Sequence, residues 1–232
     1  MMSNCMRWMT ALVMLALAGL ASGQCRDAVV LVHGNTGSPS DWDNTVVELL
    51  ARGWQAGEIF LPDWGSKTCA ACNNHSGSEE VPVIEAMVDA LATSCTGRID
   101  VIGHSMGATL AAKQIMDHQL SGQVDAFVGI AGAFRGLWSC GTYPWNVWNS
   151  TCGYWGLSVN SPFLNSLSGQ VFGQRVHSFK SWSDQVVCAT GVCTVGGIHS
   201  SRMPNEDGTY TFLLGHFGLQ SQTAAFQVNL LE

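Results

Sequence analysis

The chain has 232 residues, 47% of them hydrophobic and only 12% charged, with a formal net charge of −7. That balance excludes an intrinsically disordered chain, which needs low hydrophobicity and high charge. Ten Lys and Arg leave no basic stripe to neutralise phosphates, so nucleic acid is excluded as the partner. The 26 glycines point to many tight turns rather than a helical bundle.

Arg7 followed by the apolar run 11–20 (ALVMLALAGL) and the small residues Ala21, Ser22 and Gly23 has the layout of a secretory signal peptide. The run is about half the roughly 20 residues that a membrane span requires. Residues 1–23 are therefore expected to be a leader, leaving 24–232 as a single secreted domain. Bulky Gln24 ahead of Cys25 argues against lipid attachment at that cysteine.

Cys5 leaves with the leader, and eight cysteines remain: Cys25, Cys69, Cys72, Cys95, Cys140, Cys152, Cys188 and Cys193. An even number in an exported chain predicts disulfides. Short separations favour Cys140–Cys152 and Cys188–Cys193. Cys69 and Cys72 form a lone CxxC with no second pair to complete a zinc knuckle, so no metal is expected there.

Along the chain, Asp27–Val32 is an apolar run of strand length leading into the turn His33-Gly-Asn-Thr-Gly37. Ser38 to Arg52 reads as a helix capped by Ser40 and stopped by Gly53. Glu58–Leu61 is a short strand, Trp64 to Gly77 a loop, and Ser78 to Thr93 a helix with Val83, Met87, Val88 and Leu91 on one face. Arg98–Ile102 is the third strand, Ser105–His118 the third helix and Val124–Ile130 the fourth strand. From Gly132 to Asn160 the pattern gives way to a segment rich in Gly, Trp and Tyr. A short helix over Ser161–Ser168 and strands over Arg175–Trp182 and Thr209–Leu214 complete the order. This alternation predicts an α/β fold: a mostly parallel six-stranded sheet with helices on both faces, stabilised by disulfides.

Gly103-His-Ser-Met-Gly107 is a G-x-S-x-G between a predicted strand and a predicted helix. In that setting the serine sits at a sharp turn where glycines admit the crowding backbone, and its hydroxyl stands over the positive end of the helix. Ser105 is thus the candidate nucleophile. A serine hydroxyl needs a base and an acid to orient that base, in the chain order Ser, Asp or Glu, His.

Four histidines follow Ser105. His118 lies a helix beyond the turn, His177 falls inside a strand, and His199 sits in a Gly-Gly-Ile-His-Ser-Ser setting that reads as an exposed loop. His216, after the last strand, is the candidate base. Asp184, at the end of the fifth strand, is the candidate acid, since parallel sheets place function at the carboxyl ends of their strands. Asp125 begins a strand, at the wrong end, while Glu206 and Asp207 read as turn residues. The backbone amides of Asn35 and Met106 are the candidate oxyanion donors.

Together, Val-Leu-Val-His-Gly-Asn35, Gly-His-Ser-Met-Gly107, Ser-Asp-Gln-Val-Val187 and Gly-His-Phe-Gly218 resemble the α/β-hydrolases of the bacterial class 2 lipase type. They also carry a likeness to one lineage of extracellular polyhydroxyalkanoate depolymerases. The resemblance implies a triad carried onto Ser105, Asp184 and His216, and hydrolysis of an ester substrate without a cofactor. Only a few residues separate Gln24 from the first strand, so the superfamily's usual first two strands are missing and the sheet is expected to be minimal.

The aromatic segment 132–160 has two readings, a lid or rim that meets a lipid or polymer surface, and a disulfide-tied cap filling its own small core. The leading expectation is a secreted lipase or esterase acting on acylglycerols or fatty-acid esters. A polyester depolymerase is the enzymatic alternative, and an inactive binding module the non-enzymatic one.

Overall fold

Five consecutive apolar residues, Ala28–Val32, form strand β1, and all five are buried. A strand covered on both faces has no reason to alternate polar with apolar. The computed structural model describes residues 25–232, and the expected leader, residues 1–23, lies outside the described residues.

In chain order, β1 is followed by α1 (Asp43–Ala51), β2 (Ile59–Phe60), α2 (Glu80–Thr93), β3 (Ile99–His104), α3 (Met106–Asp117) and β4 (Val124–Ile130). Next come β5 (Leu137–Thr142), β6 (Ser158–Val159), α4 (Pro162–Leu167), β7 (Arg175–Lys180), β8 (Thr194–Val195) and β9 (Ile198–His199). The chain closes with β10 (Gly208–Thr211), α5 (His216–Ser221) and α6 (Ala224–Asn229).

Six strands make the main sheet in the order β10-β7-β4-β3-β1-β2, every pair parallel. From β1 the chain steps outward to β2, then returns to β3 on the other side and continues away. The order therefore reverses between β1 and β3, and at such a reversal the loops leaving the two strands diverge and open a crevice. The turn His33–Gly37 and the turn at Ser105 both leave the sheet there.

Side chains alternate between two cores. Val30 and Val32 of β1 and Val101 of β3 pack with Val83, Met87, Leu110, Ile115 and Phe163 of α2, α3 and α4. Val29 and Leu31 of β1 and Ile102 of β3 pack with Trp42, Leu49, Leu219 and Val228 on the side of α1, α5 and α6. Burying a Val, Leu or Phe side chain contributes about 1.5–3 kcal/mol, so these two layers hold the sheet.

Four disulfides tie the periphery: Cys25–Cys95, Cys69–Cys72, Cys140–Cys152 and Cys188–Cys193. Cys140–Cys152 and Cys188–Cys193 are the pairs the spacing favoured, and Cys69–Cys72 closes a still shorter loop.

Three regions differ from the sequence pattern. The helix expected from Ser38 begins as a 3-10 turn, Pro39–Trp42, with Ser38 rather than Ser40 at its cap. Pro39 fixes the first turn, and the Asp41 carboxylate accepts from the Ser38 amide at 3.0 Å. Within 132–160, β5 and β6 pair in parallel across the Cys140–Cys152 bridge. At the C-terminus, α5 and α6 span six residues each, too short for a helical period to show in the sequence.

Candidate active site

β3 ends at His104, and the next residue turns the chain straight into α3. Ser105 makes that turn with φ 54° and ψ −128°, a region costing a non-glycine residue about 1–3 kcal/mol. The turn is over-determined: the Ser105 amide donates to the Ile130 carbonyl at 2.8 Å, and its own carbonyl accepts from Ala108 at 3.1 Å. A methyl on Gly103 would lie 2.5 Å from the Ala108 Cα, and one on Gly107 would lie 2.6 Å from the Val32 carbonyl oxygen. Only glycine lets α3 pass this close to β1 and β3. The result sets the Ser105 hydroxyl at the N-terminus of α3, where the helix dipole is positive.

His216 opens α5 and is buried, with Nδ1 2.8 and 2.9 Å from the two carboxylate oxygens of Asp184. Asp184 Oδ1 also accepts from the amides of Val186 and Val187, both at 2.8 Å. Burial pushes the Asp184 carboxyl up, but the His216 hydrogen bond and charge and the two amides outweigh it and hold the group below its ordinary range. The His216 amide donates to Gln185 Oε1 at 2.9 Å. With Nδ1 committed to Asp184, the ring's Nε2 is the nitrogen left for substrate chemistry.

Ser105 and His216 line one cavity of about 490 Å³, together with Gly34, Asn35, His104, Val186 and Phe217. Among the described residues no hydrogen bond joins the Ser105 hydroxyl to His216. The two meet through the cavity they share, an arrangement common before substrate closes the contact.

The turn after β1 forms the opposite wall. Gly37 donates to the Gly34 carbonyl at 3.0 Å, Thr36 takes φ 59°, and a methyl on Gly34 would lie 3.1 Å from the Ser105 Cβ. His33 supports this turn from below. Burial lowers its proton affinity, Nδ1 donates to the Gly34 carbonyl at 2.8 Å, and Nε2 accepts from the Trp64 amide at 3.2 Å. The backbone amides of Asn35 and Met106 find no acceptor among the described residues and are free to face a ligand.

His104 contributes a contact that the sequence did not announce. Burial, followed by the nearby His216 charge, drives its pKa down to about 3, so the ring is neutral. Its Nε2 donates to the His216 carbonyl at 3.1 Å, and the two rings are 4.7 Å apart. Gln185 is the other addition, and it stood beside Asp184 in the Ser-Asp-Gln-Val-Val motif.

The rival residues have other partners. His199 is buried rather than in an exposed loop: Nε2 donates to the Ser181 carbonyl at 3.1 Å and Nδ1 accepts from the Ser201 amide at 3.1 Å. It braces the segment that carries Asp184. His118 caps the far end of α3, and His177 lies within β7. Asp125 pairs with Arg98 at 3.0 Å and Arg175 at 2.7 Å, Glu206 pairs with Arg202, and Asp207 accepts from the Val176 amide at 2.7 Å. Cys188 and Cys193 lie near His199, but their sulfurs are joined to each other and offer no thiolate to a metal.

The sequence model of a family described as Lipase (class 2) matches residues 26–229. Among solved structures, the mature form of a Bacillus licheniformis lipase superposes with a TM-score of 0.65 at 14% identity, covering 89% of this chain and 92% of that one. A structure reported with two metagenome-derived lipolytic enzymes gives 0.61 at 14% identity, covering 88% and 92%. Aspergillus fumigatus lipase B gives 0.58 at 15% identity, covering 90% of this chain, which spans only 53% of that lipase. At such identities the likeness shows the α/β-hydrolase fold.

Proposed function

The chain belongs to the class 2 lipase family and is an ester hydrolase of the α/β-hydrolase fold, and from that premise we propose a secreted serine carboxylesterase that cleaves acylglycerols or simple fatty-acid esters. The observation that carries the reading is His216, hydrogen-bonded to the buried Asp184 at 2.8 Å and lining the same cavity as Ser105.

In this mechanism His216 Nε2 takes the Ser105 proton as Oγ attacks the ester carbonyl. Asp184 stabilises the imidazolium through Nδ1. The carbonyl oxygen becomes an oxyanion, received by the amides of Asn35 and Met106. A donor aimed at that charge is worth about 3 kcal/mol of barrier. The tetrahedral adduct collapses, His216 passes its proton to the leaving alcohol, and an acyl-Ser105 ester remains. Water, deprotonated by His216, attacks this ester and releases the acid with Ser105 restored.

Four disulfides support an exported protein, since such bonds persist in oxidising compartments. A second reading, a polyester depolymerase, draws support from Trp145 and Trp148, which are 86% and 97% exposed between β5 and β6. Aromatics this bare suit docking onto an extended surface.

The test compares p-nitrophenyl esters of graded chain length, a triacylglycerol emulsion and a polyester film. Soluble esters and emulsion should be hydrolysed by the wild type and not by Ser105→Ala. Turnover of film alone would move the assignment to the second reading, and activity surviving in Ser105→Ala would overturn the mechanism.

A further inference from the structure

The loop between β2 and α2 reaches across to the turn that carries Asn35. The Asn73 amide, buried at 2% exposure, donates from Nδ2 to the Asn35 Oδ1 at 2.6 Å and to the Ser66 carbonyl at 3.0 Å. Its Oδ1 accepts from the Ser66 amide at 2.7 Å. Asn35 Nδ2 in turn donates to the Ala70 carbonyl at 2.9 Å. The Asn73 side chain is thereby fully committed, and the network has a single sense: an aspartate at either position would lose a donor that another residue accepts.

The loop is itself held in place. Cys69–Cys72 closes it around Ala70, and Thr151 Oγ1 lies 2.6 Å from the carbonyls of both Ala70 and Asn73, with its one proton to donate between them. Gly65, at φ 68°, leaves the space that Asn73 fills, since a methyl there would lie 2.9 Å from Oδ1.

We infer that Asn73 is a positioning residue for the proposed reaction, fixing the Asn35 side chain so that the Asn35 amide stays aimed at the developing oxyanion. The inference rests on the serine-hydrolase reading above. Without Asn73, the Asn35 side chain keeps only its bond to Ala70 and the turn can pivot about Gly34. A displacement of about 1 Å at such a donor costs up to about 100-fold in rate. A residue that merely filled the loop would change stability and leave the chemistry alone.

The test is a double-mutant cycle with Asn73→Ala, Asn35→Ala and the pair, read by kcat, KM, melting temperature and affinity for phenylboronic acid. The boronate becomes tetrahedral when Ser105 Oγ adds to boron, so it reports on the oxyanion donors without turnover. Asn73→Ala should lower kcat and boronate affinity about tenfold each, with KM for a p-nitrophenyl ester within about twofold. The double variant should be no worse than Asn35→Ala alone. Multiplicative losses in the double variant, or a melting shift with unchanged kcat and boronate affinity, would overturn the inference. If Asn73→Ala does not fold, Thr151→Val loosens the same loop from outside and should move kcat and boronate affinity together; no movement would equally overturn it. Failure of the underlying reading would show separately, as boronate binding that survives in Ser105→Ala.

Discussion

His104 donates its Nε2 proton to the backbone carbonyl of His216 across 3.1 Å. The residue immediately before the candidate nucleophile thus holds the backbone of the candidate base, 112 positions away in sequence. Removing the donor leaves a buried carbonyl unpaired and a void beside the His216 ring, together costing about 2–4 kcal/mol. His104→Ala is expected to lower kcat about tenfold and to reduce the melting temperature. Steady-state kinetics and calorimetry check it; unchanged kcat with a lowered melting point would leave His104 a packing residue alone.

Asp184 and His199 support the site in different ways, and substitution separates them. Asp184→Asn keeps the shape but puts an amide opposite His216 Nδ1, favouring the wrong tautomer, and should lower kcat about 10⁴-fold in a folded protein. His199→Ala loses two buried hydrogen bonds beneath the Asp184 segment, costing about 2–4 kcal/mol, yet should leave kcat within about fivefold. Inactivation by His199→Ala with activity retained in His216→Ala would reverse the choice of base.

The buried histidines set the response to acid. Burial holds His75 and His104 at a pKa of about 3, against 6.5 when unfolded. Burial also lowers His33, His177 and His199. Between about pH 4.5 and 6 the unfolded chain binds protons at these rings that the folded chain refuses, so their contribution to stability falls as pH falls. Asp100 acts in the opposite sense, since burial raises its carboxyl well above 3.8 and the folded state there holds the extra proton. Five histidines lowered by burial against one raised carboxyl leave a net proton uptake on unfolding. Each net proton is worth about 1.4 kcal/mol per pH unit. Urea-unfolding free energies at pH 4.5, 5, 5.5 and 6 should therefore rise with pH, and a flat or falling series would refute the assignment of neutral buried rings.

The bend at Ser105 depends on bare backbone. Gly107→Ala would force a methyl against the carbonyl oxygens of Val32 and His33, prying α3 from β1. A loss of several kcal/mol is expected, seen as a failure to fold or a melting temperature lowered by about 10 °C or more. A variant with wild-type stability and activity would mean that α3 can stand further from the sheet than it does here.

Much of this was legible in the sequence because the signals were short-range. Val29 to Val32 and Gly103 to Gly107 each carry a local pattern that backbone sterics enforce, while Asp184 and His216 were candidates by chain order and lie hydrogen-bonded to each other. What stayed hidden depends on packing between distant segments. The Gly-Gly-Ile-His199 stretch looks solvent-facing, but its histidine is folded under the Ser181 carbonyl. His216, expected only to follow the last strand, opens α5, whose six residues are too few to display a period. Asn73 lies in a segment whose Cys, Asn and Gly read only as loop, and nothing local says that it reaches Asn35.

The most direct measurement is intact-protein mass after treatment with a p-nitrophenyl alkylphosphonate, followed by peptide mapping. One phosphonyl group per chain, located on Ser105, absent from Ser105→Ala and formed at least about 100-fold more slowly in His216→Ala, is the predicted result. An adduct on another residue, or labelling that is indifferent to His216, would contradict the account at its centre.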